Sequence, residues 1–76
     1  MRLKVYFKYF TENNDGLPNR KIDYCIVEVK ELNRNAYEFI ERKVRDYHKK
    51  HHRECMYYGI VATERLMLWK NVKFRI

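Results

Sequence analysis

The sequence predicts an α+β two-layer sandwich. One long helix over about 34–52 packs on a three- or four-stranded, mostly antiparallel sheet in the order β-β-α-β-β. Three observations predict it. Residues 2–11 alternate apolar and basic side chains, as a strand with one buried face does. Asn33–His52 is the only long stretch with a helical repeat. The other apolar segments, 20–30, 56–62 and 72–76, are short and strand-like. The whole of 1–76 reads as a single domain, small enough to be marginally stable by itself.

In the first strand Leu3, Val5, Phe7 and Tyr9 point one way, and Arg2, Lys4, Tyr6, Lys8 and Phe10 the other. Thr11–Asn19 contains Asn-Asn-Asp-Gly and a proline, so it predicts a turn. The second strand is apolar on both faces, with Ile22, Tyr24 and Ile26 opposite Cys25, Val27 and Val29. Such a strand expects cover on both sides. In the helix Ala36, Tyr37, Ile40, Val44 and Tyr47 form the apolar stripe. Asn35 is the expected N-cap, with Asn33 as the competing start. Glu38–Arg42 and Glu41–Arg45 are set four apart in the favourable order. The third strand is also apolar on both faces, and its Gly59 marks a bulge or a close approach of backbone. Residues 63–70 are ambiguous, reading either as a short helix capped by Thr63 or as strand over Leu66–Trp69, and Val72, Phe74 and Ile76 alternate as a last strand.

One helix covers one sheet face. Tyr6, Phe10, Cys25, Val27, Val29, Tyr57 and Val61 are expected to line the other. An apolar patch beyond roughly a few hundred Å² usually marks an interface. A homodimer is therefore expected, with Tyr6, Phe10, Val27, Val29 and Tyr57 as its contact residues.

Composition narrows the partners. A formal net charge of +7 on 76 residues attracts something acidic, nucleic acid or an acidic protein surface, or else serves only to keep the chain soluble. The densest basic stretch is Arg42, Lys43, Arg45, Lys49, Lys50 and Arg53, suited to lie along a phosphate backbone. Lys4, Tyr6 and Lys8, with Lys73 and Arg75 if the strands are neighbours, place cations beside an aromatic on one sheet face, as sheet-type nucleic-acid readers do. No signal peptide and no apolar run long enough for a bilayer is read, and two cysteines are too few for a disulfide scaffold. A cytoplasmic protein with reduced thiols and no membrane partner is the expectation.

Chemistry is sparse. His48 and His52, four apart on a helix, and Cys55 beyond them are metal candidates that match no standard zinc spacing. Cys25 reads as a small core residue. There is no serine, no phosphate-binding glycine loop and no paired carboxylate. A ribonuclease-like use of His48, His52, Tyr47 and Arg53 is compatible with the residues but has no specific motif. No catalytic residue, metal or cofactor is assigned. The leading expectation is a non-enzymatic nucleic-acid module that grips phosphates with the C-terminal half of its helix. The alternative is a protein-interaction or inhibitor module that uses the aromatic sheet face. Either suits a small accessory protein of a phage or mobile element.

Overall fold

The computed structural model of the chain describes residues 1–12 and 16–66. Four elements follow one another: β1 (Arg2–Glu12), β2 (Pro18–Glu28), α1 (Arg34–His51) and β3 (Met56–Leu66). The described strands form one antiparallel sheet in the order β2-β1-β3. The expected order β-β-α-β is observed. The strand expected over 72–76 and the second half of the ambiguous 63–70 segment lie outside the described residues. Residues 63–66 extend β3, so Thr63 caps no helix.

Among the described strands β1 is central, with a neighbour on each side. Its pairing with β2 runs in unbroken register from Arg2↔Glu28 to Glu12↔Pro18. Met1 and Val29 extend it by one pair, each backbone donating to the other, at 2.6 and 2.9 Å. Strands β2 and β3 are both antiparallel to β1 and hence parallel to each other. The helix carries the chain from one edge of the sheet to the other.

Asn33, not Asn35, caps the helix. Its side-chain Oδ1 accepts from Ala36 N–H at 2.8 Å while its own backbone stays extended. Asn33 wins because it stands immediately before the first helical residue, where an accepting side chain reaches the orphan donors of the first turn. Asn33→Ala is expected to cost about 1 kcal/mol, and Asn35→Ala close to nothing, in the urea unfolding midpoint. Equal effects from the two substitutions would disprove the assignment.

The core lies between helix and sheet. Leu3, Val5 and Phe7 of β1, Cys25 and Val27 of β2, Val29 just beyond it, and Ile40 and Val44 of the helix are buried together. The stripe that meets the sheet runs 36, 40, 44, 48, in steps of four. Ile40, Val44 and His48 are buried and Ala36 is partly so. Tyr37, expected in the stripe, is exposed.

The face assignment of β2 needs correction. Val27 and Val29, expected at an outer interface, are core residues beneath the helix, as is Cys25. Directly paired residues share a face, and Leu3 pairs with Val27 and Val5 with Cys25. Ile22, Tyr24 and Ile26 therefore point away from the helix. The smaller set lies inward, where a helix must approach closely, and the bulkier set outward.

Tyr57 is the second correction. Two register shifts, at Tyr6/Phe7 and Lys8/Tyr9, leave an extra β3 residue at each place. Tyr57 pairs with Tyr9, Ile60 with Phe7 and Thr63 with Val5, so across the two shifts residues 57, 60 and 63 share the helix side. Tyr57 and Ile60 pack against the core there. Val61 is one of the extra residues and is exposed. Gly59, with φ +158°, sits between the two shifts, in keeping with a glycine that marks a bulge.

Candidate functional site

Three places collect chemistry: the cationic helix end, the interior beneath it, and the open sheet face.

The helix end is built by opposed faces. Ile40, Val44 and His48 anchor α1, and Arg42, Lys43, Arg45, Lys49, Lys50 and Arg53 are all exposed. His48, Lys49, Lys50 and His51 occupy the last turn, where cations complement the partial negative charge of the exposed carbonyls. Arg45 is the most tied of the six. Its Nε lies 4.0 Å from Glu41 and its guanidinium 4.9 Å from the Tyr57 ring centroid. An exposed pair of this length contributes about 0–1 kcal/mol. Arg42 and Lys43 lie 5.6 and 5.4 Å from the Phe39 ring. The expected Glu41–Arg45 spacing is thus realised as a loose contact.

Under this end lies a cage of rings. His48 is 6% exposed and its ring meets Phe7 edge-on at 5.9 Å, Tyr9 at 5.7 Å and Tyr57 at 5.4 Å. Its Nε2 has no hydrogen-bond partner among the described residues. His52, the helix C-cap, stacks on Tyr9 with centroids 4.0 Å apart and places Nε2 2.7 Å from Asp23 Oδ2. Asp23 faces inward because it pairs with Phe7. The Tyr57 hydroxyl donates to Glu41 at 3.3 Å, and burial pushes its pKa up to about 12, with Glu41 adding to the effect. Burial also raises the Tyr9 and Tyr47 hydroxyls and the Cys25 thiol, so these groups stay protonated. Cys25 is then an apolar wall, as expected, and not a nucleophile.

The cage makes stability depend on pH. Burial holds the His48 imidazole below its ordinary value of 6.5, and His52 pushes the same way. A base with a lowered folded pKa binds fewer protons folded than unfolded. Stability is therefore undiminished above about pH 6.5 and falls as pH drops below it. The melting temperature is expected to hold from about pH 7.5 to about pH 6.5 and to decline from there to about pH 5, and His48→Leu to flatten the decline. The groups facing His48 are His52, Tyr9 and Tyr57, with Asp23 behind His52. An identical decline in the variant would show that the burial of His48 is not its cause.

Among the described residues no group of three or more His, Cys, Asp and Glu side chains is placed to hold a metal ion. His48, His52 and Cys55 are not brought together as ligands. His48 is also too enclosed to meet a substrate.

The open face carries the outward residues of all three strands. Across the sheet the rows read Arg20–Phe10–Met56, Ile22–Lys8–Gly59, Tyr24–Tyr6–Ala62 and Ile26–Lys4–Glu64. Tyr24 is 45% exposed, Ile22 61% and Tyr58 63%. Lys4 Nζ sits 4.2 Å over the Tyr24 ring and Lys8 Nζ 4.6 Å over Tyr58. Tyr6 and Tyr24 rings are 5.9 Å apart, Phe10 and Tyr58 5.5 Å. The Tyr6 hydroxyl donates to Glu64 at 3.2 Å. Contact with Tyr6 raises the Lys4 pKa, so Lys4 is a cation. A solvent-exposed lysine–ring contact is weak beside a stacked nucleobase, so the lysines cover these rings only lightly.

Lys4, Tyr6, Lys8 and Phe10 thus stand on the face where the alternation of β1 put them. Sequence reasoning missed Tyr24, Ile22 and Tyr58 as site residues. Tyr24 and Ile22 were legible as one of two apolar sets, but nothing in the sequence told which set faces outward. Opposite this face, a groove of about 390 Å³ runs between β2 and α1, walled by Val27, Phe39, Lys43 and Tyr47.

Fold and surface together define a small basic α+β domain with one sheet face covered by its helix and the other uncovered among the described residues. Comparison with protein-family models, curated proteins and solved structures finds no match. No described helix is long and apolar enough to cross a membrane.

Proposed function

We propose that the protein is a non-enzymatic nucleic-acid-binding module that captures the phosphate backbone with the C-terminal half of α1. One observation carries the reading. Arg42, Lys43, Arg45, Lys49 and Lys50 are all exposed on a helix whose opposite side is locked into the core, and Arg53 is exposed just past its C-cap. The cations are therefore presented by a rigid element, and little ordering is required when they meet phosphates. A chain of net charge +7 also steers anionic partners toward itself before contact.

Binding driven by phosphate contacts releases counterions, so affinity falls with salt by a log–log slope of about −0.9 per contact on duplex. With four or five of the six cations engaged, a slope of roughly −4 is expected for random duplex in a fluorescence anisotropy titration. An absence of binding at low salt, or an affinity indifferent to salt, would remove the reading.

The second reading has its own observation, the exposed Ile22, Tyr24, Ile26, Met56 and Tyr58 of the open sheet face. A partner protein or a second copy of the chain docked there is the protein-interaction alternative. It predicts a negative nucleic-acid titration together with a stable assembly in solution.

A further inference from the structure

We propose that the open face of the sheet is a second nucleic-acid contact, one that takes unpaired bases by stacking and so makes the protein favour single strands. This rests on the phosphate-binding reading of the helix but concerns the opposite side of the molecule. Four observations lead to it.

First, the exposed rings sit on both flanks of a cationic centre. Tyr24 lies on β2, Tyr58 on β3, and Lys4 and Lys8 on β1 between them. Second, the two lysines are near enough to the rings to serve the same nucleotide. Each ammonium rests 4.2–4.6 Å from a tyrosine centroid, so a base on the ring leaves its phosphate within reach of the lysine that has swung off it. Third, the sign of the charge is right. In the three rows from Arg20 to Tyr24 the outward charged residues are Arg20 and Lys8, and Lys4 leans over Tyr24 from the next row. The outward carboxylates, Glu12, Glu28 and Glu64, lie beyond those rows, and Glu64 already accepts from Tyr6. Fourth, aromatic side chains exposed on a sheet face can stack on unpaired bases, whereas the bases of a duplex are stacked on one another and cannot reach them.

The same charge pattern disfavours a second copy as the occupant. A twofold pairing through the centre of this face brings Lys4 and Lys8 of β1 close to the lysines of the second copy, and the one acid in their rows, Glu64 beside Lys4, already accepts from Tyr6. Ile22, Ile26 and Met56 then act as the apolar floor around the stacking rings.

The test compares three labelled probes on the intact protein by fluorescence anisotropy: an oligothymidylate of about 16 nucleotides, an abasic oligomer of equal length, and a duplex. Wild-type protein is expected to bind the thymidylate at least about tenfold more tightly than the abasic chain. Tyr24→Ala with Tyr58→Ala should abolish that difference and leave duplex affinity unchanged, since both side chains are exposed and far from the helix cations. Equal affinity for the thymidylate and abasic probes overturns the proposal without needing any variant. So does a base preference that survives the double substitution. Tyrosine-dependent binding to vesicles of anionic phospholipid, or a dimer that the double substitution dissociates, would also overturn it by naming a different occupant. Duplex binding without base preference defeats only this proposal, whereas failure of all three probes to bind defeats the helix reading as well.

Discussion

Phe7→Ala is expected to bring the protein to the edge of unfolding at room temperature. Phe7 is 0% exposed and lies at the middle of the central strand. Its ring is 5.9–6.2 Å from the rings of Tyr9, Tyr47, His48, His52 and Tyr57, so elements on three sides use it as a common contact. Truncating a buried phenylalanine costs about 3–5 kcal/mol, the sum of forfeited transfer energy and an unfilled cavity. A domain of 76 residues has in total roughly 4–11 kcal/mol. The substitution therefore removes about a quarter of the stability at least, and nearly all of it at the other extreme. The neighbours are rings held by strands and by the helix end, and they cannot collapse into the space cheaply. Denaturant unfolding of the variant should show a midpoint near zero or a greatly lowered one. Tyr24→Ala, which removes an equally large ring from the open face, should shift the midpoint by only about 0.5 kcal/mol. A midpoint for Phe7→Ala within that small range would show that the cage beneath the helix is not the core of the fold.

The second large effect falls on binding. Reversing Lys43, Lys49 and Lys50 together to Glu is expected to weaken duplex binding by roughly a hundredfold or more at low salt. The three reversals remove six units of charge and leave a net charge of +1 from the original +7. The salt slope should fall by about 0.9 for each phosphate no longer neutralised, and by more where the new carboxylates repel. These three residues are chosen because all are exposed and Arg45, by contrast, is already engaged by Glu41 and Tyr57. The fold should survive, because the opposite helix face is untouched and each unfavourable charge in the last turn costs only about 0.3–1 kcal/mol. Circular dichroism would confirm a native helix. A folded triple variant with unchanged affinity and slope would place phosphate binding elsewhere on the molecule.

The helix was the most legible element. Its period, its charge order and the absence of Gly or Pro between 36 and 52 all pointed the same way, and the observed span Arg34–His51 differs by one residue at one end. The choice of Asn33 over Asn35 was less legible because both residues are good caps and the sequence offers no geometry to separate them. His48 reads from its spacing to His52 as a ligand candidate, yet it continues the series 36, 40, 44 by one more step of four, and that step was the available signal for its burial. Asp23 carried no such signal. It meets His52 only because the chain folds back across 29 residues.

The open face was half legible. Alternation along β1 was enough to place Lys4, Tyr6, Lys8 and Phe10 on it, since a strand with one basic and one apolar side has only one sensible orientation. Strand β2 offered two apolar sides, and a one-residue slip exchanges them without changing composition. The two bulges in β3 defeated the period-two reading there, turning Tyr57 inward and leaving Tyr58 against Lys8 and Phe10.

What the amino-acid sequence determined by itself was local. Periodicity, capping residues and charge order act within a few residues of one another, so the strand–strand–helix–strand succession and the basic helix end could be read in one dimension. What only the tertiary structure decided was which sides of β2 and β3 lie under the helix, and with them the identity of the exposed tyrosines. Those outcomes depend on hydrogen-bond register between strands distant in the chain, where Val5 meets Cys25 and Phe7 meets Ile60, and such pairings follow from packing the whole sheet at once.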